Sequence, residues 1–475
     1  MDRAIGAAVA AAVVVVGVAA VDRPPAAGAA AVDVLVVGGA PPGLAAAVAA
    51  ARRGRTVLLV ESREAIGGDI TLAWLNMLDL NRTPRGQLLA GGLFALVYQQ
   101  LGQTFDIGRA QQVFDDLVRS QPRVLVRTRT AVVRPLLTSG ALAGAVVADL
   151  QTGEPWTVRA RQVIDASDDG ALAAASGVPF TVGREDGGRD RRTQAATLIF
   201  RLSGVDPAAV ARYIAAEDVP HRRGGVRGRY AWGYSQIARR YVPSSPRLGL
   251  FDLNLGWQGD GTVLVNALQI FDVDGTDPAS VAQGRALAEA ELPAVVAFLR
   301  ETAPGFAAAT LVGAAPHLYI RETRHTIGLY RMTADDIMHE RVFPDRIAVA
   351  SYPMDLHPYA RGQPNLLRPV RRVYTVPFRA LVARGADNLM VVGKALSATH
   401  LAWGSLRIIP TGMALGEAAG EAAALALEHG VTPARLAADP RLIGELQRRL
   451  VAAGAYLPSG PRRLSGWARS SGSAP

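Results

Sequence analysis

The chain has 475 residues, 49% of them hydrophobic and 19% charged, which is enough for two or three domain cores and too apolar for a disordered protein. Its formal charge is +10, yet Lys394 is the only lysine and the arginines are scattered without a long basic run, which argues against a nucleic-acid partner. Cysteine is absent, excluding disulfides, thiolate metal sites, iron–sulfur clusters, CxxC redox pairs and a cysteine nucleophile.

The first element is an apolar run from Ala4 to Val21, preceded by Asp2 and Arg3 and followed by Asp22, Arg23, two prolines and an Ala/Gly-rich stretch to Ala31. It has the form of a secretory signal with a small-residue cleavage site at Val18-Ala19-Ala20, and an uncleaved N-terminal membrane anchor is the alternative. Both predict an extracytoplasmic body, secreted, periplasmic or anchored, although no twin arginine offers a route for export of a folded chain.

Beyond the leader, Asp33 to Val37 predicts a buried strand, Leu44 to Arg53 an alanine-rich helix and Thr56 to Glu61 a second strand, together a βαβ unit of a parallel sheet. A helix over Ala110 to Arg119 follows. Then come strands at Arg123 to Arg127, Ala131 to Leu137, Leu142 to Asp149 and Trp156 to Ala160, with turns at Ser139-Gly140 and Thr152-Gly153. From Thr193 to about Pro364 the character changes to aromatic-rich strands, such as Leu248 to Leu255 and Thr262 to Phe271, with a long helix over Pro278 to Glu301. The nucleotide-domain pattern resumes at Asn388 to Val392 and ends in a helix from Gly412 to His429.

The predicted fold is therefore α/β, a Rossmann-like domain with a parallel sheet and an inserted α+β substrate domain. Its parts are a leader over 1–31, the first part of the nucleotide domain over 32–192, the insert over 193–364, the second part over 365–457 and a disordered tail over 458–475.

Within the stretch Asp33 to Glu61, Gly38 and Gly43 supply the first and third positions of a G-x-G-x-x-G turn. Gly38 permits the tight turn, Gly43 lets helix and sheet pack closely, and the helix N-terminus offers N–H groups to a pyrophosphate. Glu61 can accept from ribose hydroxyls, so the constellation points to a dinucleotide. Ala40 stands at the middle glycine, where a methyl group predicts tolerated or weakened binding.

Two further regions carry a resemblance. One is Val163-Ile164-Asp165-Ala166-Ser167-Asp168-Asp169-Gly170 with Gly183-Arg184-Glu185; the other comprises Arg321-Glu322-Thr323-Arg324 and the Gly393-Lys394 segment running into SATH. With the early fingerprint, these resemble the FAD-dependent oxidoreductases of the glutathione-reductase-like flavoprotein superfamily. Serine at 167 stands where threonine is usual. The resemblance implies non-covalent FAD held along Gly38, Ala40, Gly43, Glu61, Arg63, Gly67, Gly68, Asp69, Val132, Asp165, Ala166, Ser167, Gly393 and Lys394. It also implies that the helix beginning Gly412-Met413-Ala414 aims its N-terminus at the flavin pyrimidine. Lys394 is equally compatible with a solvated cation.

The implied function is hydride transfer between a small organic substrate and flavin N5, with an external electron acceptor because only one nucleotide fingerprint is present. A secreted, non-catalytic binding protein retaining the fold is the alternative. His400 is the candidate acid, base or clamp, in a loop expected beside the flavin. Arg324 and Arg407 fit either a substrate anion or salt bridges, Arg324 to Asp335 for instance. The histidines show no metal-ligand spacing, so no metal is expected, and no G-x-S-x-G elbow supports a hydrolase.

Overall fold

The computed structural model describes residues 30–89, 91–138, 141–217 and 224–457, so the apolar leader, the Ser139-Gly140 turn and the C-terminal tail lie outside the described residues. Among the described residues no helix is long and apolar enough to cross a membrane.

The first sheet is built on β1 (Ala30–Val37), which pairs in parallel with β2 (Val57–Val60) on one side and β6 (Pro155–Asp165) on the other. β3 (Val124–Arg127) extends it in parallel beyond β2, while β4 (Thr130–Thr138) and β5 (Ala141–Asp149) form an antiparallel meander leading into β6. The observed β6 is twice the length of the strand predicted at Trp156 to Ala160. Its first half pairs with β5, and its second half is walled by β1 on one side and the strand Leu389–Val391 on the other. Val163, Ile164 and Asp165 are accordingly fully buried, the usual state of a central parallel strand.

α1 (Pro41–Arg52) crosses from β1 to β2 and is buried along nearly its whole length, which its alanines make feasible. It lies against the helix Ile409–Glu428. A Cβ at Gly416 would overlap the carbonyl oxygen of Pro42, and one at Gly420 that of Ala46, so the two backbones meet through glycine and alanine with no intervening side chains. Since 412 and 416 lie at Pro42 and 420 lies at Ala46, the helices run in the same direction and their N-termini open at the same end. The later helix starts at Ile409, one turn before the predicted Gly412, because Pro410 is compatible with a first helical turn.

The second sheet has six strands, in the order Thr310–Ala314, Ala196–Ser203, Val263–Ile270, Leu248–Trp257, Tyr230–Gly233 and Gly225–Arg227, all antiparallel. The helix Pro278–Thr302 buries Leu292, Val295 and Leu299 in a core shared with Leu198, Phe200 and Leu268 of that sheet. Past Ala314 the chain runs back toward the first sheet, bridging Tyr319 to Thr197 and then pairing Arg324–Thr326 with Phe180–Val182.

Candidate active site

Four parallel strands end side by side: β2, β1, β6 and Leu389–Val391. The residues that follow them are Glu61, Gly38, Ala166 and Val392-Gly393, so chemistry scattered over more than 350 positions is gathered along one edge, where open α/β sheets bind ligands. Backbone bonds fix the edge: Gly38 N–H to Val60 O at 2.8 Å, Ala166 N–H to Val37 O at 2.7 Å and Val392 N–H to Asp165 O at 2.9 Å. Gly38 has φ +103°, and a Cβ there would overlap the Ala166 carbonyl. The methyl group of Ala40 packs toward Gly68, where an added Cβ would sit 2.8 Å from it.

The donors at this edge fit a dinucleotide, with a departure. Pro41 and Pro42 occupy the first two positions of α1 and carry no N–H, whereas the buried amides of Ala40 and Gly43 make no hydrogen bond among the described residues. On the neighbouring helix, the N–H groups of Ile409 and Thr411 are unpaired among the described residues. Gly412 does not: its N–H bonds Ile408 O at 2.9 Å, while Met413 is fully buried and Ala414 is half-buried against the same core. The early helix start thus moves the available donors to residues that precede the predicted trio.

Beside the glycine turn lies a charged cluster. Glu61, 2% exposed, accepts from Gly39 N–H at 2.7 Å and from Arg63 through its backbone at 2.9 Å, Nε at 2.8 Å and Nη2 at 2.9 Å. Arg63 continues to Asp168 at 2.9 Å. Lys394 uses its three donors on Asp69 at 3.0 Å, Asp168 at 3.1 Å and the Ile320 carbonyl at 2.8 Å, so it is no solvated cation. Burial pulls the Lys394 pKa down, but Asp168 and Asp69 outweigh it and hold the ammonium above its usual value. Burial raises Asp168 as well, yet Lys394 and Arg63 bring it below the ordinary carboxylate range, whereas for Asp69 burial prevails and the pKa rises.

Asp165 turns its carboxylate into the protein, where it accepts from Ser167 N–H at 3.0 Å, Ser167 Oγ at 2.6 Å and Ala173 N–H at 2.8 Å and so shapes the turn after β6. Val132 lies opposite Val147 and packs against the core around Leu58 and Val60. Glu61, Arg63, Asp69, Asp168 and Lys394 are therefore joined in one network, and Asp165 and Val132 stand outside it.

His400 begins a helix, His400–Leu406, in place of the expected loop. Its Nδ1 lies 2.6 Å from Asp186 Oδ1 and its backbone N–H donates to Asp186 Oδ2 at 2.8 Å, leaving Nε2 without a partner among the described residues. Burial raises the Asp186 pKa, but the bonds from His400 and the charge of Arg331 bring it below the ordinary range. Arg324 pairs with Asp169 at 3.2 Å, not with Asp335, and shares no partner with Arg407. Asp335 instead lies in the first turn of the short helix Ala334–Met338, which Thr333 and Asp336 cap.

Arg407 belongs to a different cluster, bonding Asp355 at 2.8 Å and the Tyr319 hydroxyl at 3.1 Å. Arg321 stacks on the other side of the arrangement, its guanidinium 4.3 Å from the Tyr319 ring, and His357 lies 3.8 Å from Asp355. Burial and the two arginines hold the His357 pKa well below its usual value, so the imidazole is neutral at pH 7. Tyr319, Arg321, Asp355 and His357 were not singled out in the sequence. The only signal among them is that Arg321 opens the RETR segment.

Among solved structures the chain is similar to a geranylgeranyl bacteriochlorophyll reductase-like protein of Thermoplasma acidophilum, with 15% identity, 90% of this chain and 85% of that chain covered, and a TM-score of 0.45. It is also similar to the p-nitrophenol 4-monooxygenase PnpA of Pseudomonas putida DLL-E4, with 13% identity, coverage of 90% and 87% and a TM-score of 0.42. A third is the myxobacterial chondrochloren halogenase CndH, with 16% identity, coverage of 93% and 89% and a TM-score of 0.44. A comparison with curated protein sequences found no match. The sequence model of the FAD dependent oxidoreductase family, by contrast, matches residues 33–450, so the chain belongs to that family and is an oxidoreductase whose cofactor is FAD.

Proposed function

We propose that this oxidoreductase moves a hydride between a small organic substrate and the flavin N5, and that the electrons then leave to an external acceptor. The observation that carries the reading is the buried polar cluster of Tyr319, Arg321, Asp355, His357 and Arg407. It is tied to the strand-end crevice by the bond from Lys394 to the Ile320 carbonyl at 2.8 Å. FAD supplies the two-electron chemistry when bound. The unpaired amides of Ala40 and Gly43 are suited to its phosphates, and those of Ile409 and Thr411, at the positive end of a helix dipole, to the negatively charged edge of a reduced flavin.

In this reading the chain's own groups bind, orient and move protons. Arg407 is held in place by Asp355 and Tyr319, both of which limit its motion. His400, fixed through Nδ1 by Asp186, presents Nε2 as the proton donor or acceptor. The external acceptor rests on the single glycine fingerprint of the sequence, and extracytoplasmic action rests on the apolar run Ala4 to Val21. N-terminal sequencing of the native protein tests the latter, with a mature start near Val21 expected.

Anaerobic mixing of FAD-loaded protein with a metabolite library tests the reaction. Bleaching of the flavin absorbance by at least one compound is expected. Intact FAD that no compound reduces would overturn the reading in favour of a binding protein that retains the fold.

A further inference from the structure

Arg321 is 2% exposed and has no carboxylate within ion-pair distance among the described residues. Its Nη1 is tied back to the Ala195 carbonyl at 2.8 Å and to Thr197 Oγ1 at 2.7 Å, and its face is covered by Tyr319. Nε is buried without a partner, and Nη2 makes no hydrogen bond among the described residues. The edge without a partner among the described residues is therefore the Nε–Nη2 fork, whose two parallel N–H groups match the two oxygens of a carboxylate.

A buried guanidinium with an open fork is costly unless an anion completes it. Protein groups nearby do not supply one. Asp355 is already engaged by Arg407 at 2.8 Å, and Asp79, an exposed residue, forms no ion pair with either arginine among the described residues. Arg407 adds an unpaired buried Nε of its own, and the Tyr319 side chain, in contact with both arginines, links the two. Within ion-pair distance the two cations meet one carboxylate, Asp355, among the described residues, which suits a monoanion better than a phosphate dianion.

We propose that the cluster of Arg321, Arg407 and Tyr319 is the subsite for the carboxylate of the substrate, with the Nε–Nη2 edge of Arg321 gripping it, so that the enzyme acts on small organic carboxylates. This rests on the cluster being the substrate side of the FAD site, as proposed above. It assigns the anion to Arg321, with Arg324 occupied elsewhere by Asp169.

The test titrates FAD-loaded protein with benzoate, acetate, benzamide and inorganic phosphate, reading both the flavin difference spectrum and the thermal midpoint. Saturable benzoate binding is expected, with benzamide weaker by about tenfold or more, because the neutral amide loses the charge-assisted fork. Arg321→Met should weaken benzoate by a similar factor of about ten or more, and Arg321→Lys by less, since lysine keeps the charge but not the fork. Equal binding of benzoate and benzamide, phosphate binding more tightly than either carboxylate, or no binding by benzoate and acetate would overturn the proposal. The comparison of ligands needs no variant and so survives a variant that fails to fold. A protein that takes up no FAD would fail the underlying reading instead, and the benzoate-dependent thermal shift would still report on the arginine subsite.

Discussion

Glu417 offers a sharp test of how burial and pH are linked in this fold. It lies on the helix Ile409–Glu428, 4% exposed, and its Oε2 accepts the Leu93 N–H at 3.0 Å. The helix Gly92–Leu101 has no side-chain cap of its own, because Gly91 occupies the N-cap, so Glu417 acts as its cap from a distant part of the chain. A carboxylate at a helix N-terminus is favoured by the dipole, yet burial is the larger effect and, with Glu421 nearby, pushes the Glu417 pKa up to about 7. A folded pKa raised above its unfolded value means that the native state holds the proton more tightly. The stabilising contribution is then complete below the unfolded pKa near 4.5 and is lost as pH rises through about 7. At 1.36 kcal/mol per unit, the loss on reaching pH 8 is about 3 kcal/mol. Glu417→Gln keeps an oxygen for Leu93 but cannot ionise, so it should match the wild type near pH 4 and exceed it near pH 8 by about that amount. Urea unfolding midpoints of both proteins at the two pH values provide the assay. If the wild type and Glu417→Gln lose the same stability between them, the carboxyl is not the group responsible and the reasoning fails.

Other expectations follow from the same geometry. Because Gly68 makes room for the Ala40 methyl, Ala40→Gly should leave FAD affinity within about twofold, whereas Gly68→Ala, at φ +57° and 2.8 Å from Ala40 Cβ, should cost about 1–3 kcal/mol in strain and weaken FAD; flavin fluorescence quenching measures both. His400→Gln should reduce turnover by about a hundredfold with the flavin spectrum unchanged, and Asp186→Asn should reduce it by less, since it disturbs only the orientation of the imidazole; equal turnover in all three would remove His400 from the chemistry. Lys394→Met strands Asp69 and Asp168 in a partly buried cleft and should destabilise by about 2–3 kcal/mol in denaturant unfolding, with Asp69→Asn in the same chain recovering part of the loss.

What could be read from the sequence was local. The βαβ unit rests on contiguous residues, in which apolar runs, a glycine turn and an alanine helix follow one another within about thirty positions. The unit formed by β1, α1 and β2 matches that reading apart from its end residues. The cluster around Lys394 was illegible because its partner Asp69 is 325 residues away, and no local pattern encodes such a pairing. The RETR segment shows an intermediate case. Arg321 and Arg324 are three positions apart, and the structure ties them to different partners, Ala195 and Thr197 for Arg321 and Asp169 for Arg324. Which of the two faces the cluster was decided by the pairing of Arg324–Thr326 with Phe180–Val182, a tertiary contact. The start of the later helix was misjudged for a different reason: Gly412 looked like an entry point, but Pro410 supports a first turn and the helix already begins at Ile409.

The two converging helix N-termini also bear on how tightly FAD is held. Pro41 and Pro42 remove two donors from α1, and Pro410 removes one from its neighbour, yet the aligned peptide dipoles behind them are intact. The long-range attraction for a phosphate therefore persists while the number of direct hydrogen bonds falls, and the nearby cations gain importance. Those cations are not at liberty: Arg63 and Lys394 face three carboxylates, Glu61, Asp69 and Asp168. With all three ionised the cluster is negative and opposes an incoming phosphate. Of these acids, Asp69 has a pKa raised by burial, so protonation at this carboxyl neutralises the cluster and loosens one hold on Lys394. FAD affinity should consequently be higher at a pH below the raised pKa of Asp69 than at one well above it. Asp69→Asn should bind FAD more tightly at the higher pH and flatten the dependence. Equilibrium dialysis at the two pH values measures it, and an FAD affinity that is the same at both, or that weakens on acidification in the wild type, would show that Asp69 does not control the charge met by the phosphates.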